Sequence, residues 1–130
     1  MGQQQLLLIV LGVIVVGIAV VVGINLFNAN AVSSNRDGVV SDLNNLGAMA
    51  QQFYKKPVSM GGGGNAFTGN GNTFALPAEL DTTANGSYAA TVTGTLVTIV
   101  GTGTEAAANG NPIVHTATVN STTINVTKTN

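Results

Sequence analysis

Three patterns of apolar and polar positions follow one another along the chain, and each predicts a different element. From Leu6 to Ile24, nineteen residues run without one strongly polar side chain, and Leu26-Phe27 extends the run. At 1.5 Å per residue, nineteen helical residues cover about 28 Å, close to the ~30 Å hydrocarbon core of a bilayer. Leu26 and Phe27 add margin for tilt. After Phe27 the apolar residues thin into a stripe. Ala29, Val32, Val39, Leu43, Leu46, Ala50 and Phe53 keep helical spacing, with only Arg36 breaking the row. Between them lie Asn28, Asn30, Ser33, Asn35, Asp37, Ser41, Asp42, Asn44 and Gln51, which predict a solvated face. Pro57 supplies a stop, and Lys55-Lys56 place positive charge on the last turn, where the helix dipole favours it. The two stretches join into one helix over about 5–56, roughly 78 Å long. Gly38 and Gly47 each weaken it by up to ~1 kcal/mol relative to alanine.

The third pattern begins after a break. Pro57 to Asn72, PVSMGGGGNAFTGNGN, reads as a flexible connector over the helix, since four consecutive glycines hold neither helix nor strand cheaply. No Lys-Ser/Thr pair follows them, so a phosphate-cradling loop is not predicted. From residue 87 the apolar positions alternate as in strands: Ser87–Thr93, Thr95–Val100, Pro112–Val119 and Thr122–Thr127. Thr95–Val100 holds Leu96, Val97, Ile99 and Val100, apolar on both faces, which predicts a central strand. Thr93-Gly94-Thr95 and Asn120-Ser121 read as tight turns, and Gly101–Asn111, GTGTEAAANGN, as a longer loop. In the last strand Ile124 and Val126 face inward, while Thr123, Asn125 and Thr127 face out.

A four-stranded antiparallel sheet this small cannot close a core alone. The apolar stripe of the helix supplies the missing half, through Val39, Leu43, Leu46, Ala50 and Phe53 against Val97, Ile99, Ile124 and Val126. The expected fold class is therefore α+β. Four segments are expected: an apolar helical part (1–27), its amphipathic continuation (28–56), a Gly/Asn-rich connector (57–86) and the sheet (87–130).

Composition narrows the function. Charged residues make up 7% of the chain against a usual ~25%. The four basic residues, Arg36, Lys55, Lys56 and Lys128, are scattered and give no footprint for nucleic acid. There is no cysteine, hence neither a disulfide nor a thiolate metal site. The lone His115 alternates with Ile113, Ala117 and Val119 and has no second ligand nearby, so metal binding is not predicted. Glu79 and Asp81 lack a neighbouring nucleophile and read as a solvated turn. Phe27, Phe53, Tyr54, Phe67, Phe74 and Tyr88 are too few for a continuous conduction path and read as packing residues. No catalytic or cofactor-binding set emerges. Three glycosylation sequons occur, at Asn85, Asn120 and Asn125, in a chain rich enough in Asn and Thr to produce them by chance. Asn85-Gly86 and Asn120-Ser121 are equally good turn formers.

The apolar start admits several uses. A secretory signal peptide needs a basic n-region and a small-residue cleavage site, and no Lys or Arg precedes Arg36. A permanent single-span anchor fits the length. So does a rod that exchanges lipid for copies of itself, since a helix apolar on every side must be surrounded on every side. Leu6, Leu7, Ile9, Val10, Val13, Ile14, Gly17, Val20, Val21, Ile24 and Phe27 are the residues expected between subunits in that case.

These features together resemble a type IV pilin: a short polar start, apolar residues from the sixth position, a helix ending near residue 54 and a C-terminal antiparallel sheet. The resemblance implies a non-enzymatic homopolymer. It also implies a single-pass protein of the cytoplasmic membrane before assembly, a prepilin peptidase and assembly machinery as partners, and an extracellular filament (fimbrium) as destination. Within the family one fold serves adhesion, twitching motility, DNA uptake and surface colonisation. The family's fifth-position glutamate is absent. Gln5 stands there if Met1 is the mature start, Leu7 if Gln3 is. Gln3, Gln4 and Gln5 are then the nearest hydrogen-bonding groups for the terminal amine, with Met1 carrying that amine in the first placement. The family's mid-helix proline is absent too, Val22 standing near its place. Gly12, Gly17 and Gly23 suit either close helix packing or local unwinding. Archaeal pilins and archaellins share the greasy start but usually keep the helix apolar throughout. A pseudopilin, a minor pilin or a plain membrane-anchored surface protein are further alternatives.

Overall fold

The computed structural model describes Gly2–Asn130; Met1, expected among the polar contacts of the start, lies outside the described residues. One helix, α1, runs unbroken through Gly2–Lys55 and spans about 81 Å. A five-stranded antiparallel sheet packs on its rear half, giving the α+β architecture that the pattern predicts. The strands are β1 (Thr82–Thr83), β2 (Gly86–Val92), β3 (Val97–Ala106), β4 (Pro112–Val119) and β5 (Ile124–Lys128), in that spatial order.

β3 and β5 start two residues later than expected, at Val97 and Ile124, so the turns before them are four residues long. Two larger differences each have a physical reason. The strand expected to stop at Val100 continues as β3 through the GTGT run to Ala106. Gly101 and Gly103 are not turn residues there. They lie on the face that meets α1, where a Cβ on Gly101 would come within 2.9 Å of the Tyr88 ring and 3.0 Å of Val39. A Cβ on Gly103 would collide with Asn35 and Ile113. The glycines let helix and sheet approach closely. Gly47, on the helix, does the same against Ile124. The second difference is β1, a two-residue strand inside the segment expected to be connector, which adds a fifth strand to the expected four. A register shift in the β3–β4 ladder between Thr102 and Ala106 marks a bulge before the hairpin turn.

The core is built as one layer of helix on one face of sheet. From α1 come Val39, Leu43, Leu46 and Ala50; from β3, Val97 and Ile99; from β4, Ile113, Ala117 and Val119; and Tyr88 comes from β2. Ile124 and Val126 of β5 are half-buried against this cluster, as is Phe53. β3 is the central strand, yet only one of its faces is covered, because Val100 points away from the helix and is exposed.

The glycine-rich connector is anchored by its two phenylalanines. Phe67 is fully buried and Phe74 nearly so. The Phe67 ring packs 4.9 Å from Tyr54, and the Phe74 ring 5.7 Å from Phe53. A short 3₁₀ turn at Val58–Met60 reverses the chain after Pro57. Asn70 and Asn72 then donate side-chain hydrogen bonds to the carbonyls of Gly63 and Gly62, both at 2.9 Å. The segment lies as a packed cap over the end of α1, in place of a loose tether.

Candidate self-association surface

The first half of α1 projects away from the sheet, and among the described residues nothing packs against it. Every described residue through Asn30 is exposed, including all of Leu6, Leu7, Ile9, Val10, Val13, Ile14, Gly17, Val20, Val21, Ile24 and Phe27. Exposure of its large apolar side chains ranges from 53% at Ile14 to 73% at Phe27. Burying one such side chain is worth about 1.5–3 kcal/mol, so covering this band of seventeen large apolar side chains would be strongly favourable. Among the described residues this is the one helix long and apolar enough to cross a membrane, by length and composition.

The band has sharp ends. Gln3, Gln4 and Gln5 are exposed at the front, and Asn28 and Asn30 follow Phe27. Gly12, Gly17 and Gly23 lie within it with no heavy atom near their Cβ positions, so another helix can approach there. Where the band ends, an open groove forms between the Asn25–Arg36 stretch of α1 and the Glu105–Ala108 tip of the β3–β4 hairpin.

Behind the band, polar residues fix the sheet to the helix. Three of them, Asn35, Asp42 and Gln51, belong to the face expected to be solvated, and the structure turns them toward the sheet. Asn35 is buried: its Nδ2 donates to the Asn85 carbonyl at 2.8 Å, and its Oδ1 accepts the Glu105 N–H at 3.2 Å. Gln51 donates to the Asn120 carbonyl at 3.3 Å. Asp42 Oδ2 accepts from Tyr88 Oη at 2.6 Å, Thr83 Oγ1 at 2.8 Å and Asn85 Nδ2 at 3.1 Å. Burial alone would raise the Asp42 pKa, but these three donors together hold it below its ordinary value. Tyr88, partly buried and donating to that carboxylate, is pushed well above its usual range. Helical periodicity locates such residues but cannot reveal that strands supply them with partners.

His115 is buried on the inner face of β4. Its Nε2 lies 3.4 Å from Arg36 Nη1, which donates to the Asn130 carbonyl at 2.7 Å. Burial first, then the charges of Arg36 and Lys128, lower its pKa, so the ring is neutral at pH 7. Among the described residues no three of His, Cys, Asp and Glu come together to hold a metal ion. The sequon residues fall in three settings: Asn85 in the β1–β2 turn, Asn120 in the β4–β5 turn and Asn125 on the outer face of β5. Comparison with protein families, with characterised proteins and with solved structures finds no match.

Proposed function

We propose that the chain is a structural subunit that polymerises through Leu6–Phe27 into an extracellular filament of the type IV pilus kind, and that it is not an enzyme. One observation carries the reading: an apolar helical band with no partner inside the subunit, bounded by polar residues at both ends and joined directly to a packed α+β head. In a bilayer, lipid covers such a band. Outside it, copies of the same band cover one another, and the heads remain in water. Contacts of this kind are head-to-tail and do not close, so they generate an open helical polymer. The subunit would wait in the cytoplasmic membrane as a single-span protein before entering the filament. A prepilin peptidase and an assembly machine would be its partners there, and nucleic acid would not bind the sparsely charged shaft.

The test is to shear the surface of the source cells, image the released material and identify its main chain. Filaments built from this chain, with the apolar band at their centre, are the expected result. A chain recovered only as a membrane-fraction monomer would favour a plain anchor, and a filament carrying the band on its outside would sink the reading.

A further inference from the structure

We propose that the two sequons of the β4–β5 hairpin, at Asn120 and Asn125, accept N-linked glycans and that the sequon at Asn85 does not. The three sites share a motif and differ in what their carboxamide nitrogens are doing. At Asn85, Nδ2 donates to Asp42 Oδ2 at 3.1 Å. The same side chain lies so close to Gly38 that even a Cβ on that glycine would meet it at 2.5 Å. A sugar on this nitrogen would have to fit where the carboxamide is already wedged between Asp42 and Gly38, and would push the β1–β2 turn off the helix.

At Asn120 the division of labour is the reverse. Its Oδ1 accepts the Thr122 N–H at 2.9 Å, the Thr123 N–H at 2.6 Å and the Thr122 hydroxyl at 3.3 Å, while Nδ2 makes no hydrogen bond within the described residues. N-glycosylation replaces one hydrogen on Nδ2 and leaves the carbonyl oxygen in place, so the turn keeps every bond that forms it. The hydroxyl of the third sequon residue already lies beside the amide. Asn125 is exposed on β5, an edge strand whose outer side pairs with nothing among the described residues. Thr127, two residues on, points to the same face. A hydrophilic chain here would also shield an open strand edge from pairing with another sheet.

The chemistry requires a glycosyl donor on the same side of the membrane as the sheet, of the class of polyprenyl-phosphate-linked oligosaccharides. Asn Nδ2 attacks the anomeric carbon and a C–N bond forms. The bond from that carbon to the lipid phosphate oxygen breaks, and the Nδ2 proton is lost as the lipid phosphate departs. Nothing is oxidised or reduced. The inference needs the sheet to lie outside the bilayer, but it does not need the subunit to polymerise.

The experiment is intact-mass measurement and glycopeptide mapping of the chain from its source cells, beside an Asn120→Gln/Asn125→Gln double variant made in the same cells. The expected result is a mass above that of the sequence, mapped to Asn120, Asn125 or both, and lost in the double variant. The bare sequence mass, a glycan mapped to Asn85, or an excess that survives the double substitution would each overturn the proposal. Mapping of the unaltered chain decides the Asn85 arm, because substituting Asn85 disturbs its own bonds to Asp42.

Discussion

At Asp42 a single carboxylate oxygen gathers a phenol, a hydroxyl and an amide from the β1–β2 region, so one residue of α1 pins the free edge of the sheet. Replacing Asp42 with alanine strands three donors and is expected to cost about 1–2 kcal/mol, at the low end because the site is partly solvated. A Tyr88→Phe background should reduce that cost, which a double-mutant cycle on thermal unfolding measures. The acid response follows from two lowered pKa values. Asp42 sits below its ordinary 3.8 when folded, so its contribution is complete above about that pH and is lost as pH falls through the folded value. His115 sits below its ordinary 6.5, so the unfolded chain takes up a proton first and stability declines as pH drops beneath 6.5. Unfolding followed against pH should therefore show two acid limbs, and His115→Gln should flatten the upper one alone. A wild-type curve flat between pH 6.5 and 4 would contradict this account.

The elements show what the pattern of residues could and could not convey. The helix was legible because its apolar band and its later stripe both obey helical spacing, with Pro57 to stop them. The β4–β5 hairpin was legible from the alternation on either side of Asn120-Ser121. The GTGT run was not, because glycine signals a turn when read locally, whereas Gly101 and Gly103 serve a contact with a helix more than sixty residues earlier. Asn35 was misplaced for a related reason: its partners, the Asn85 carbonyl and the Glu105 N–H, lie 50 and 70 residues away. The exposed apolar band was the easiest part to see, since among the described residues nothing packs on it. The connector hid its anchor best, as two phenylalanines among glycines carry no periodicity at all. Phe67→Ala is expected to cost about 3–5 kcal/mol, as for other fully buried rings. It should lower the thermal midpoint and expose the cap to protease; an unchanged midpoint would show that the cap contributes nothing to the core.

On the scale of the whole molecule, the chain divides into a packed α+β head and a rod whose apolar band is exposed. The rod's front carries amides, not a carboxylate, so any amine buried beside it keeps its charge unpaired. In the proposed filament a carboxylate at that position would only help, and Gln5→Glu is expected to leave the yield of filaments undiminished, scored by imaging sheared material. Their loss would argue against Gln5 lying beside a neighbour's terminus. The abrupt ends of the band also act as a ruler. Twenty-two helical residues from Leu6 to Phe27 measure about 33 Å. Two parallel rods slid past each other by a given distance keep only the remainder of that length in greasy contact. Beyond an offset of ~33 Å the glutamines of one copy would draw level with Asn28 of the next, and cohesion would give way to amide against amide. If the chain polymerises as proposed, the spacing of touching copies along the axis is thus capped by where it places its first and last oily residue.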